Sequence, residues 1–526
     1  MNDQSVNIEK QTDGKAVKKV RRDHPVRRRV LYVLVGLLWV FATMVFAGAE
    51  WYREAYGQVS FAELLFTLTA PMQGTSGDFI NAVLMRIVPP ALKVGCAYTV
   101  ICLLLSQNRW TVAVAKKLKL ITEKYNLLKV ARVLGAVAGL AFLFFAGKRL
   151  FYAMKIQDYL DSVSQQSTIY EECYVDPDEV AVTAPQEKRN LILIYLESME
   201  VAYADKTSGG IQETNLIPNL TSLAAENVSF STGSMMNGHH PVTNTTWTMA
   251  ALLGSTSGVA YNFPIGGNSM EYITTFASKL TTMGDILQRD GYRQMFLCGS
   301  DAEFGGRKNY YTQHGDYEIY DLNSARSDGH LPEDYQVWWG FEDFHLYEYA
   351  KEQLTDLAAS GEPFNLTMLT VDLHHFGGYE CELCGDTYAL STANVAECTD
   401  RQLGEFIEWL KQQDFYENTT VVILGDHPRM DSNLVGEDNP VLSRGVYNCF
   451  INSAAETEGA VNDRNCTTLD MFPTILASLG YTIEGNRLGL GTNLFSDTQT
   501  LSEERGIDWV NDQLSRYSRA FLQMFE

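Results

Sequence analysis

Positive charge is scarce in this chain. Lys and Arg total 41 against 64 Asp and Glu, a net charge of −23. The acidic excess lies in the C-terminal two thirds, which excludes a general nucleic-acid surface. Internal repeats, collagen-like triplets, low-complexity tracts and long disordered stretches are also missing. A second CxxC is missing too. Cys381-Glu-Leu-Cys384 stands alone, so a zinc knuckle of paired CxxC units is excluded. A thioredoxin-type motif needs a strand and a helix around it, whereas Gly377, Gly378 and Gly385 mark a loop. The expectation is a disulfide among Cys381, Cys384 and Cys398; with nine cysteines in the chain, an odd thiol remains.

Apolar residues, 46% of the total, are unevenly spread. Residues 1–29 form a basic tail with Lys18, Lys19, Arg21, Arg22, Arg27, Arg28 and Arg29. A charge-free run from Val30 to Ala49 is long enough to span a hydrocarbon core as a helix. Further spans are expected at Val88–Ser106, interrupted by Pro89, Pro90 and Lys93, and at Val133–Tyr152, where Lys148 and Arg149 can snorkel. The loop between them carries Arg109, Lys116, Lys117, Lys119, Lys124 and Lys129 against one Glu123. That loop and the tail should be cytoplasmic, which puts everything after about residue 153 outside. The short apolar segment Phe61–Thr69 reads as interfacial. Ala47-Gly48-Ala49 resembles a signal-peptidase site; cleavage there would leave two spans and the same external location. The expected organisation is a tail at 1–29, a membrane anchor at 30–153, a linker at 154–188 and an outer domain at 189–526.

The outer domain has an α/β pattern. Four short apolar runs end in chemistry-bearing residues. Asn190–Leu196 leads to Glu197. Gln294–Cys298 leads to Ser300 and Asp301. Phe364–Val371 leads to Asp372, His374 and His375. Thr419–Leu424 leads to Gly425-Asp426-His427. In open parallel sheets the active site lies beyond the carboxyl ends of the strands, so four runs aim acids and histidines at one edge. Each residue alone reads as a cap, a turn or a salt-bridge partner. Together, Glu197, Asp426 and His427 offer two carboxylates and an imidazole, a set suited to Zn²⁺ or Mn²⁺, and three ligands leave a position open for a reacting oxygen. Thr248 sits where a polar loop runs into a helix. It is either an N-cap or a nucleophile whose target phosphoryl group meets the helix N-terminus.

The ordered stretches Asn190–Ser198, Ile217–Leu220, Thr246-Trp247-Thr248, Gly266–Ser269, Gly299–Ala302, Leu369–His375, Gly425–His427, Asp470–Thr474 and Gly485–Leu490 carry a resemblance. The chain resembles the lipoteichoic acid synthase and phosphoglycerol transferase family, within the alkaline phosphatase and sulfatase superfamily. The resemblance implies an alkaline-phosphatase-like α/β domain with a central, mostly parallel sheet behind a transmembrane helical anchor. It implies Thr248 as nucleophile, with Glu197, Thr248, Asp426 and His427 around a divalent metal, Mn²⁺ first and Zn²⁺ or Mg²⁺ as alternatives. Asp301, Arg307, His374 and His375 would bind substrate; the guanidinium fork of Arg307 matches phosphate geometry. The implied reaction moves glycerophosphate from phosphatidylglycerol, through a phospho-threonine intermediate, to a cell-envelope glycan or polyglycerophosphate acceptor outside a bacterial inner membrane. His239 and His240 have no counterpart in the resemblance.

Three rival functions differ in specific residues. A formylglycine sulfatase needs C/S-x-P-x-R, and Thr248-Met249-Ala250 lacks it. A phosphoethanolamine transferase would share the threonine and the metal and differ in head group. A non-catalytic membrane-tethered sensor or binding module would be expected to have lost a ligand, and none is lost. The C-terminal stretch 501–526 is amphipathic and is expected to be a helix packed on the domain or lying near the membrane.

Overall fold

The computed structural model describes residues 25–56, 61, 77–107, 113, 117, 127–262, 276–375, 377–436 and 439–525. The tail up to residue 24, the segment 62–69, most of the basic loop between the second and third spans, and Gly266–Ser269 lie outside the described residues. The chain divides into two compact units, 1–48 with 85–149, and 49–84 with 150–526.

Three long helices begin the described chain: α1 (Pro25–Tyr56), α2 (Gly77–Gln107) and α3 (Leu127–Ala153). Each contains a stretch long and apolar enough to cross a membrane: Val30–Glu54, Val83–Ile101 and Val133–Ala153. Leu34, Phe41, Met85, Ile101, Val133 and Phe144 present apolar side chains outward, as hydrocarbon-facing helices do. Pro89 and Pro90 lie inside α2, tolerable where the surroundings re-satisfy the freed carbonyls.

The second unit is built on a six-stranded sheet. Its strands are β1 (Asn190–Leu196), β2 (Arg293–Cys298), β3 (Glu318–Tyr320), β4 (Phe364–Leu369), β5 (Thr419–Gly425) and β6 (Asn448–Ile451), in spatial order β3-β2-β4-β1-β5-β6. Every pairing is parallel except β5 with β6. The sheet is thus mostly parallel, with an antiparallel edge. β1, β4, β5 and β6 are buried along their whole length, because helices cover both faces.

Alternation along β1 divides the core. Leu191, Leu193 and Tyr195 face one cluster, with Met249, Leu252, Leu253, Met471 and Phe472. Ile192, Ile194 and Leu196 face the other, with Leu220, Leu346, Leu354, Leu403 and Phe406. The covering helices are α4 (Pro218–Glu226), α5 (Thr248–Ser257), α6 (Arg307–Gln313), α7 (Asp343–Ala359), α8 (Ser391–Leu410) and α9 (Met471–Ser478).

The segment 154–188 contributes structure of its own. Ile169 and Tyr170 are buried in the first cluster, and Val182–Thr183 pairs antiparallel with Thr482–Ile483. The C-terminal stretch corrects one expectation. It packs on the domain through Val510, Leu514 and Phe521, but as three short helices, Leu501–Arg505, Ile507–Ser515 and Arg519–Phe525. Gly506, at φ 86°, breaks the first from the second. The expected disulfide is also corrected. Cys381, Cys384 and Cys398 are brought together, yet all three are free thiols.

Candidate active site and metal centre

Strand register assembles the site. β1 lies between β4 and β5, with Leu196 opposite Gly425 and Tyr195 opposite Leu369. The next residues, Glu197 and Asp426, therefore leave the sheet side by side, and Thr370 leaves β4 beside them. The contacts are direct. Thr370 Oγ1 accepts from the Glu197 N–H at 3.0 Å. Asp426 Oδ1 accepts from the Ser198 N–H at 2.7 Å and the His427 N–H at 2.8 Å. Ser198 holds a positive φ of 51°, a strained backbone that persists where surrounding structure enforces it. Its hydroxyl donates to Glu197 Oε1 at 2.6 Å. Gly425 admits no side chain, since a Cβ there would lie 2.2 Å from Met199 O.

His427 donates from Nδ1 to Pro428 O at 2.9 Å, which leaves the Nε2 lone pair facing inward in the neutral ring. Nε2 lies 3.3 Å from Asp426 Oδ2 and 3.6 Å from Glu197 Oε1. Asp426 Oδ2 is buried and accepts no hydrogen bond. Burial, and then the negative charge of Glu197, push the Asp426 carboxyl up to about 7. Burial opposes the charge of Glu197 as well, but His374 and His427 outweigh it and hold that carboxyl below its ordinary range.

One donor atom from each of Glu197, Asp426 and His427 lies within 4.8 Å of the other two. Two carboxylates and a lone pair facing one another in a buried space repel unless a cation lies between them. The orphaned Asp426 oxygen and the mixed O/N donor set fit a divalent metal, with Glu197, Asp426 and His427 as the residues that would hold it.

Thr248 is the first residue of α5, and Trp247 occupies the cap position without a side-chain cap bond. The N-cap reading of Thr248 is thereby overturned. Its hydroxyl lies 3.3 Å from Glu197 Oε2 and 3.3 Å from His427 Nε2. Thr245, by contrast, closes its own turn, with Oγ1 accepting from the Val242 N–H at 2.9 Å.

His374 reaches the same site: it adds to the field at Glu197, and burial lowers its own basicity. Its Nδ1 bonds to His375 O at 2.6 Å, and its ring packs 4.8 Å from Trp339 and 4.4 Å from His375. Burial and the adjoining His374 and Arg429 hold His375 neutral well below the usual range. Asp301 stands on the loop after β2, and Arg307 opens α6 at the end of that loop. Arg307 is only 6% exposed and donates to Ser300 Oγ (3.0 Å), Asp301 O (2.7 Å) and Phe304 O (3.0 Å). Asp301 Oδ1 caps the turn through the Glu303 N–H. Both side chains thus brace the loop after β2.

Arg429 escaped the sequence reading. It is 1% exposed, donates from Nε to Asp431 Oδ2 at 2.8 Å and from Nη1 to Leu373 O, and adds positive charge to the field at Glu197. Its N–H donates to Glu200 Oε1 at 2.7 Å. The signal was an arginine two residues past the Asp-His pair. His239 and His240 are held by main-chain bonds to Val446, Cys466 and Thr468, and no hydrogen bond or ion pair joins them to Glu197, Asp426 or His427 among the described residues.

A family profile described as Sulfatase matches residues 189–481, more than half of the chain. The chain belongs to the sulfatase family. Two relatives of this sulfatase-family chain are named phosphoglycerol transferase I. That of Xanthomonas campestris pv. campestris (strain B100) is 31% identical over 299 residues, covering 55% of this chain and 39% of that one. That of Salmonella choleraesuis (strain SC-B67) is 29% identical over 340 residues, covering 62% and 42%. The similarity therefore spans about two fifths of these relatives' own length. Among solved structures, the lipoteichoic acid synthase LtaP from Listeria monocytogenes is 18% identical, with a TM-score of 0.46, covering 62% of this chain and 80% of that one.

Proposed function

We propose that this protein is a metal-dependent phosphoglycerol transferase, anchored by three spans within 30–153 and carrying its catalytic domain, 189–526, outside a bacterial inner membrane. One observation carries the reading. The Thr248 hydroxyl stands at the N-terminus of a ten-residue helix, 3.3 Å from both Glu197 and His427. The names of the similar proteins and the absence of a formylglycine motif at Thr248 support phosphoryl rather than sulfuryl transfer.

A bound divalent ion, Mn²⁺ in the first instance, supplies Lewis-acid stabilisation of a phosphoryl oxygen and favours the alkoxide form of a nearby hydroxyl. The protein's own groups do the rest. Thr248 Oγ attacks phosphorus in the head group of phosphatidylglycerol. The Oγ–P bond forms, the bond from phosphorus to the diacylglycerol oxygen breaks, and diacylglycerol departs with the proton that Thr248 gives up. An acceptor hydroxyl on a glycan or polyglycerophosphate chain then attacks phosphorus of the glycerophosphoryl-threonine; the acceptor O–P bond forms, the Thr248 Oγ–P bond breaks, and the acceptor's proton returns to Thr248. The first-turn N–H groups of α5 favour the anionic group. In this reading His374 contacts the transferred group, and Asp301, Arg307 and His375 are assigned to substrate binding. The anchor keeps the site beside its lipid donor.

The test uses full-length protein in detergent with Mn²⁺ and fluorescent-acyl phosphatidylglycerol. Metal-dependent release of diacylglycerol, absent in Thr248→Ala, supports the proposal. Release only from phosphatidylethanolamine would reassign the head group, and silence with both lipids would favour a binding module.

A further inference from the structure

The three thiols left unpaired by the fold share no residue with the Glu197, Asp426 and His427 group, and their spacing is specific. Cys381 Sγ is 3.7 Å from Cys384 Sγ and 3.9 Å from Cys398 Sγ, and all three sulfurs lie within 4.8 Å of one another. A tetrahedral zinc with Zn–S bonds of ~2.3 Å puts neighbouring sulfurs about 3.8 Å apart. We propose that Cys381, Cys384 and Cys398 form a second metal site, a three-thiolate Zn²⁺ clip with the Gln402 carboxamide set against its fourth position.

Gln402 is the independent sign of a missing ligand. It is 5% exposed. Its Nε2 points at Cys398 Sγ (3.1 Å) and Cys381 Sγ (3.9 Å), while its Oε1 is buried without a hydrogen-bond partner. Side-chain amide oxygen and nitrogen are nearly interchangeable in placement. Turned over, the amide offers its orphaned oxygen to the ion. Charge also balances. Three thiolates and Zn²⁺ sum to one negative charge, and Arg401 donates from Nη2 to Cys398 Sγ at 3.4 Å and to Leu383 O at 2.7 Å. Softness separates the two centres, since thiolates select zinc while the carboxylate and imidazole set at Glu197 also accepts harder ions.

The clip has mechanical work to do. Cys381 and Cys384 lie on the stretch between β4 and α8 that also carries His374, whereas Cys398 is fixed within the 20-residue helix α8. That stretch contains no helix or strand among the described residues and turns through Gly377 and Gly378 at φ 81° and 77°. Two residues of loop and one of helix around a single ion tie the His374 segment to the scaffold.

The experiment takes the reduced full-length protein in detergent, stripped of metal and titrated with Co²⁺ alone. A thiolate-to-cobalt charge-transfer band should saturate at one equivalent, persist in Asp426→Asn, which removes a ligand of the other centre, and vanish in Cys398→Ser. Zinc content and thiol counting on protein as isolated, without reductant, guard against a variant that fails to fold. One tightly held zinc and no disulfide within 381–398 support the clip. A disulfide there with no zinc, or a reduced wild type without the band, overturns it. Amide exchange across 374–390 in Asp426→Asn should quicken about tenfold when zinc is stripped; unchanged exchange removes the anchoring role.

Discussion

Thr248 and Arg429 mark two ways a single residue serves this site. If Thr248 is the nucleophile, Thr248→Ala should remove diacylglycerol release by at least ~10³-fold. Thr248→Ser, which keeps a hydroxyl at the same helix position, should recover part of it. Equal loss in both, with native melting, would argue that the methyl group's packing matters more than the oxygen. Arg429 should show its effect in stability first. Its substitution by Met strips Asp431 and the Leu373 carbonyl of a buried partner, and breaking a buried pair costs about 3–5 kcal/mol. A thermal melt within a degree of wild type would refute that. The sequence made Thr248 visible but left it suspended between cap and nucleophile, because those roles differ by one residue along the chain. Arg429 stayed hidden because its partners Leu373 and Glu200 come from distant segments.

At the level of elements, the strands were the most legible part. β1, β2, β4 and β5 are short, predominantly apolar runs leading into polar residues, and a doubly covered parallel sheet favours that pattern. β3 and β6 were not read: three and four residues at the sheet's edges carry too little period to register. The C-terminal helices show the opposite failure, where amphipathic spacing ran smoothly across Gly506 and concealed the break. The β5 terminus gives a sharp test. Gly425→Ala would press a methyl onto Met199 O and the Val446 side chain. Metal affinity should fall about tenfold or more, through displacement of Asp426, measured by titration calorimetry. Unchanged affinity would show that the strand end yields without moving its ligand.

For the whole molecule, stability should be tied to both ion and proton. Without a divalent ion the Glu197 centre buries mutually repelling groups, so a chelator should lower the melting temperature of the unit that carries the sheet. An ion at 100 times its Kd contributes about 2.7 kcal/mol. Calorimetric melting with and without chelator checks this, and coincident melts would count against a bound metal. Acid should act through His239. Burial, and then His240, lower its basicity to about 3, against 6.5 for an ordinary histidine. The unfolded chain therefore takes up a proton that the folded one refuses. Stability from this group is whole above pH 6.5 and is lost as pH falls toward 3. His239→Gln should flatten that part of the stability-versus-pH curve; an unchanged slope would assign the acid sensitivity elsewhere. The three long apolar helices and the central sheet were legible because apolar length and strand pattern are each local signals. The meeting of Cys381, Cys384 and Cys398 was foreseen, but its free-thiol geometry depends on how α8 packs.

Glu197 and Asp426 follow their strands with no residue in between, so the ligand positions are properties of the sheet. His427 follows Asp426 directly and is braced on Pro428 O, so changes of loop length beyond Pro428 should disturb the three donor groups less than changes before it. A scaffold of this kind separates two rates of change: surface loops can drift by insertion and deletion, while the carboxylates at the strand ends stay put. Under the proposed function, transplanting surface loops between relatives should therefore alter what receives the group far more readily than whether the group is moved.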